Sequence, residues 1–152
     1  MPLELSPATQ SDCEALIRLQ FEAYDQDPVQ HVLFPNGATQ ITVSLFAEHD
    51  RKSMAEDLYV RYMKVTDTET GQIISFAQWF IYPERLEEEW NQLKPFPFPS
   101  DANAEAGNAL ITVSIRAKNE IMKGQAYACK WPFPTQRFPG ISALVSSLST
   151  TL

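Results

Sequence analysis

The chain has 152 residues, of which 44% are hydrophobic and 11% aromatic, so it is long enough and apolar enough to bury the core of one globular domain. Its net charge of -7 excludes a broad basic surface for nucleic acid or an anionic membrane. Two cysteines, Cys13 and Cys129, provide neither a disulfide framework nor a metal-ligand spacing.

The chain has no apolar run of the roughly 20 residues that a membrane span needs. Its first residues, MPLELSPATQSD, lack the basic start and apolar core of a signal peptide. We therefore expect a soluble, cytoplasmic protein that binds neither nucleic acid nor a membrane.

The first third of the chain predicts a strand and two helices. Leu3 and Leu5 alternate with polar residues, as in a short strand. Ser11 and Glu14 have the spacing of a capping box at the start of a helix, which Pro28 ends. The apolar stripe of this helix consists of Cys13, Leu16, Ile17, Phe21 and Tyr24.

An irregular connection over residues 28–37 then leads to a second predicted helix over residues 39–57. Ile41, Leu45 and Phe46 are expected on its apolar face. His31 and His49 are the only histidines, and no cysteine or carboxylate stands at a ligand spacing from them. Surface or packing roles are therefore favoured over metal binding.

Residues 59–82 predict a β-hairpin. The segment TDTETG, residues 66–71, has the Asp, Thr and Gly that suit a turn of several residues. The return strand, IISFAQWFI at 73–81, is apolar on both faces, which is typical of a central strand covered on both sides.

The second half of the chain is less regular. An acidic helix is predicted over residues 83–95 and a proline-rich linker over residues 95–107. Residues 108–124 fit a helix by spacing, although LITVSI also suits a strand; the length and Gly124 favour the helix. After the irregular residues 125–140, ISALVSSL at 141–148 can form two helical turns.

The order of these elements resembles the N-terminal half of fungal members of the GNAT acetyltransferase superfamily, over about residues 1–124. The most specific stretch is residues 65–79, which is similar to the second and third strands of that family and to their Asp-Thr-x-Thr-Gly turn. LFP at 33–35 and EIMKG at 120–124 add to the resemblance.

The resemblance implies an α+β fold with a central, mainly antiparallel sheet and helices on both faces. It also implies binding of acetyl-CoA and transfer of the acetyl group to a small-molecule amine. That chemistry needs a loop of backbone N–H groups for the pyrophosphate. It also needs a gap between the fourth and fifth strands, where an N–H polarises the thioester carbonyl.

The C-terminal part departs from this pattern. Pro132 and Pro134 stand where the fourth strand is needed, and proline cannot donate to a central ladder. We therefore expect the C-terminal half of the sheet to be missing or degraded, with a half-domain over residues 1–124 and a divergent, flexible tail over residues 125–152. The nearest match to the phosphate loop gives the candidate cofactor residues Arg137, Gly140 and Ser142. Pro139 removes one amide from that loop, and the alternative is a plain turn before the tail.

By the same resemblance, the amine pocket lies where the end of the first helix and the following loop cross the hairpin. Its expected walls are Phe21, Tyr24, Phe34, Trp79 and Tyr82. The alternative is that these aromatic side chains fill the core. Glu84 is the candidate proton acceptor, although an acid there also suits the start of a helix.

Three functions remain open from the sequence. The first is a GNAT-type N-acetyltransferase whose activity is impaired or lost because the acetyl-CoA half is incomplete. The second is a non-catalytic binding or interaction protein, with a homodimer formed through an exposed sheet edge. The third is a small α+β ligand-binding domain with an aromatic pocket.

Overall fold

The computed structural model describes residues 2–82, 96–123 and 125–131, and their fold is α+β. The strands are β1 (Leu3–Pro7), β2 (Val60–Asp67), β3 (Gln72–Tyr82) and β4 (Tyr127–Trp131). The helices are α1 (Cys13–Ala23), α2 (Pro28–Leu33), α3 (Gln40–Glu56) and α4 (Ala104–Met122).

The strands form one four-stranded sheet in the order β1-β2-β3-β4, and each neighbouring pair is antiparallel. The predicted hairpin is β2 and β3, and it occupies the centre of the sheet. Its turn closes where the N–H of Gly71 donates to the carbonyl of Asp67 at 2.8 Å. Gly71 has φ +71°, a conformation in which only glycine is unstrained. The prediction of a central hairpin is thus confirmed.

The C-terminal half of the sheet was expected to be missing or degraded, and its first strand is present. β4 pairs with β3 from Tyr127, opposite Tyr82, to Trp131, opposite Gln78. The predicted tail from residue 125 therefore begins with a strand of the sheet. Residues 132–152 lie outside the described residues.

The capping box lies two residues before the predicted one and caps a 3₁₀ turn over Gln10–Asp12, which precedes α1. The carboxylate of Asp12 accepts hydrogen bonds from the N–H of Thr9 at 2.7 Å and from Nζ of Lys64 at 2.7 Å. Thr9 and Asp12, and not Ser11 and Glu14, therefore form the capping box, and Asp12 also binds β2 through Lys64.

α1 and α3 cover one face of the sheet. Leu16 of α1 and Met54 of α3 pack against Val60, Tyr62 and Phe76, which point to that face. The described residues therefore place helices on this face of the sheet, and helices on both faces stay a prediction. No helix in the described part of the chain is long and apolar enough to cross a membrane.

The face that α3 presents to the core agrees only in part with the predicted one. Phe46 packs against the core, but the buried residues are Thr42, Val43 and Ala47, and Ile41 is 56% exposed. Thr42 is buried with a polar partner, since its hydroxyl donates to Asp101 at 3.1 Å and Thr39 also donates to that carboxylate.

Two segments predicted as irregular are ordered parts of the domain. Residues 28–33 form α2, whose N-cap is Asp27: its carboxylate accepts from the N–H of Val29 at 2.8 Å. The predicted linker contributes Phe98 to the core, and Phe96 stacks on Phe46 with ring centroids 5.4 Å apart. The proline-rich composition predicted a linker, whereas this segment packs through its aromatic residues.

Candidate functional site

Phe21 and Phe34, two of the predicted pocket residues, are core side chains. Their ring centroids lie 4.9 Å apart in an edge-to-face arrangement, and both are buried with Cys13, Val43 and Ala47. Such a pair stabilises the domain by filling its interior. Their position agrees with the alternative interpretation of the sequence, in which these aromatic side chains fill the core.

Tyr24 follows α1 as its C-cap and is half-buried. Burial, and next the negative charge of Asp27, raise the pKa of its phenol. The hydroxyl is therefore a neutral hydrogen-bonding group at neutral pH, and an unsuitable base.

Trp79 and Tyr82 lie on opposite faces of β3, because side chains alternate along a strand. Tyr82 packs among aromatic rings, 5.3 Å from Tyr59 and 4.8 Å from Tyr127 between centroids. Trp79 packs with Leu3 and other apolar residues of the opposite face. The structure thus places Phe21 in contact with Phe34, whereas Trp79 and Tyr82 lie on opposite faces of the sheet. A substrate role for the predicted residues stays a prediction.

Four candidate residues and two predicted elements lie outside the described residues. They are Glu84, Arg137, Gly140 and Ser142, together with the acidic helix over 83–95 and the last helix over 141–148.

One of the two features that an acetyl-CoA site requires is the gap between a fourth and a fifth strand. The described residues form four strands, and in that part of the chain β4 pairs with β3. The second feature, the phosphate loop, falls in residues 132–152.

A buried polar network links α3 to the centre of the sheet. The phenol of Tyr62 donates to Asp50 at 3.0 Å and accepts from Nε2 of Gln78 at 2.6 Å. Ser53 also hydrogen-bonds this phenol. Burial, and next the charge of Asp50, raise the pKa of Tyr62, so the hydroxyl stays protonated and donates to the carboxylate.

Sequence reasoning missed this network, although one signal was present. Val43, Ala47 and Asp50 stand four and three residues apart, so Asp50 is a charged residue on the inner face of α3. A carboxylate in that position needs an internal partner, because an unpaired buried charge is costly. The sequence does not say which residue of the sheet supplies it.

Next to this network lies a cleft of about 490 Å³, lined by the last turns of α3 and by the connection over residues 57–59 that leads to β2. We refer to it as the α3–β2 cleft. Its lining residues are His49, Lys52, Ser53, Glu56, Asp57, Leu58 and Tyr59. The volume is in the range of small-molecule sites.

The walls of the α3–β2 cleft are fixed by contacts on both sides. The ring of His49 meets that of Phe96 edge to face at 5.2 Å between centroids, and its Nδ1 lies 3.6 Å from Asp50. Oδ1 of Asp57 accepts from the N–H of Tyr59 at 2.8 Å. In the described part of the chain, no three His, Cys, Asp or Glu side chains are placed to hold a metal ion.

Comparison of this sequence with protein-family models and with curated proteins finds no match.

Proposed function

We propose that this chain is a GNAT-like N-acetyltransferase domain that binds acetyl-CoA and transfers its acetyl group to a small-molecule amine weakly or not at all. One observation carries the proposal, namely the antiparallel order β1-β2-β3-β4 with the helices α1 to α3 between β1 and β2. This order is what the resemblance implies for the first four strands. It leaves the second edge of β4 on the side where the thioester arm is expected.

Acetyl transfer makes strict demands on such a site. The amine nitrogen attacks the carbonyl carbon of the thioester, the C–S bond breaks, and the thiolate leaves and takes up a proton. The reaction therefore needs a neutral amine, a polarising N–H and a phosphate grip that holds the cofactor in register. Pro139 removes one amide from the candidate grip around Gly140, which is why we expect cofactor binding to be weak and transfer to be impaired.

Titration calorimetry with acetyl-CoA tests the proposal on the full chain. We expect saturable 1:1 heat at ligand concentrations up to millimolar, and thiol release with amines close to the rate without protein. A Gly140→Trp variant is expected to weaken binding, because a bulky side chain obstructs a phosphate loop. Absence of heat from a chain that circular dichroism shows to be folded would refute the proposal.

A second candidate is a non-catalytic protein that dimerises through the sheet edge. The observation that favours it is the contrast between the two outer strands. β1 carries Pro7, which discourages pairing with another chain, whereas β4 contains no proline; each strand has one charged residue, Glu4 in β1 and Lys130 in β4. Light scattering after size-exclusion chromatography should then show a dimer, and a strict monomer at high concentration would count against this function.

A further inference from the structure

We propose that the α3–β2 cleft binds a small organic ammonium ion that carries an apolar group. The cleft is lined by His49, Lys52, Ser53, Glu56, Asp57, Leu58 and Tyr59. It is formed by α3 and by the connection from α3 to β2, and none of the residues that the resemblance selects belongs to it. The proposed ligand class follows from three properties of the cleft: its charge, its aromatic wall and its rigidity.

The charge of the cleft favours a cation. Glu56 is the last residue of α3 and Asp57 is its C-cap, so both carboxylates stand where the helix dipole already has its negative end. Asp50 adds a third carboxylate behind His49, with only 13% of its side chain exposed. Because the helix end and the acids act in the same direction, a positive group bound there is stabilised.

Two cationic side chains of the protein, Lys52 and Arg61, lie near these carboxylates, and neither fully neutralises them. Nζ of Lys52 lies 3.9 Å from Glu56, and this pair is 71% and 66% exposed. An ion pair so exposed contributes little, so a ligand ammonium can replace Lys52 at little cost. The guanidinium of Arg61 is already occupied, since it donates to the carbonyls of Leu58 and Val60 at 2.8 and 2.7 Å.

The apolar side of the cleft is a tyrosine ring next to an exposed leucine. Leu58 is 80% exposed, and the ring of Tyr59 is supported by Tyr82 at 5.3 Å. An aromatic face beside carboxylates is a common recognition element for organic cations, because the face of the ring carries negative potential. An amine with a short apolar group contacts both features at once.

The third property is preorganisation. Asp57 is held by the N–H of Tyr59, and Ser53 and Asp50 are held by Tyr62. Little side-chain entropy remains to be lost from these three side chains when a ligand binds. Lys52 and Glu56 are the adjustable pair, so they are the positions at which to test the charge preference.

The test is a nuclear magnetic resonance titration of the full chain with phenethylamine, without any thioester. The neutral isostere 2-phenylethanol is the matched ligand. We expect saturable shifts at the α3–β2 cleft with the amine and at least threefold weaker binding of the alcohol. Glu56→Gln should weaken amine binding about three- to fivefold, whereas Lys52→Gln should strengthen it about two- to threefold. Glu69→Gln, the same charge change in the hairpin turn, should leave it unchanged.

The opposite signs of the two charge variants make the outcome decisive. If Lys52→Gln weakens and Glu56→Gln strengthens binding, the cleft is an anion site and the proposal is wrong. Equal binding of the alcohol, or no saturation with the amine at millimolar concentration, overturns it as well. Circular dichroism of each variant confirms that it is folded. Because no thioester is present, these results are independent of whether the chain binds acetyl-CoA.

Discussion

Replacing Tyr62 with phenylalanine should destabilise the domain more than any other loss of a single hydroxyl among the described residues. The substitution keeps the ring but removes the donor to Asp50 and the acceptor for Gln78. A hydrogen bond to a charged group contributes about 1.5–3 kcal/mol, and a buried partner left without its bond adds a desolvation cost. We expect a loss of about 2–3 kcal/mol, which lowers Tm by about 4–12 °C in a domain of this size.

The pH dependence of the free energy of unfolding provides a second, independent test of this prediction. Burial, and next the charge of Asp50, raise the pKa of Tyr62 above the value of 10.0 that it has when unfolded. The stability that Tyr62 contributes is therefore complete below pH 10 and decreases as pH rises above it, because only the unfolded chain ionises there. The difference between the wild type and Tyr62→Phe should accordingly shrink between pH 9 and 11.

Urea unfolding followed by circular dichroism measures both effects. A double-mutant cycle with Asp50→Ala is the control, and its coupling energy should be about 1.5–3 kcal/mol at pH 7. The reasoning is refuted if the two substitutions are additive, or if the difference from the wild type is constant through pH 11.

Three further substitutions test separate parts of the fold by the same unfolding measurement. Gly107→Ala should cost about 1–2 kcal/mol although alanine favours helices, because its Cβ would lie 2.2 Å from the ring of Phe98. The cost should fall in a Phe98→Leu background, and an unchanged cost would contradict the contact with Phe98. Lys123→Gly should stabilise the domain by about 0.5–1 kcal/mol, since Lys123 is the C-cap of α4 and has φ +49°. A loss of stability would contradict this left-handed conformation at the end of α4. Burial acts to raise the pKa of Asp12, but the bonds from Lys64 and Thr9 lower it below 3.8. Asp12→Asn should therefore cost about 1–2 kcal/mol at pH 7 and progressively less below pH 3.8, and a cost independent of pH would exclude this ion pair.

The elements predicted correctly are those with a strong local signal. The hairpin has a turn in which Gly71 must adopt positive φ, and α1 and α4 have apolar residues at helical spacing. These features depend on residues close in sequence, so periodicity and turn chemistry suffice. The predicted start of the second helix agrees with the structure to one residue: Thr39 is the N-cap of α3, and its hydroxyl accepts from the N–H of Thr42.

The elements missed depend on partners far along the chain. Phe96 belongs to a proline-rich stretch, and only its stacking on Phe46 makes that stretch part of the core. β4 comes just before two prolines in the sequence, and only its pairing with β3 shows that residues 127–131 form a strand. Asp50 and Gln78 meet through Tyr62, and no local pattern brings these three residues together.

The candidate site was harder to predict than the fold. Phe21 and Tyr82 are both aromatic and both suit a pocket wall, yet the structure buries Phe21 in the helical core and places Tyr82 among tyrosines of the sheet. Composition cannot separate an aromatic that fills volume from one that meets a ligand. The α3–β2 cleft was missed because its charged residues have the ordinary spacing of a solvated helix face.

The most direct test of the proposed acetyl-CoA site is a titration that records the backbone amides of the two outer strands. β4 is expected to contact the pantetheine chain, and β1 is the matched strand at the opposite edge of the same sheet. We predict saturable shifts of the amides of residues 127–131 with acetyl-CoA and none in residues 3–7. Shifts in β1 alone, or no shift in either strand at millimolar acetyl-CoA, would contradict a thioester site on this sheet.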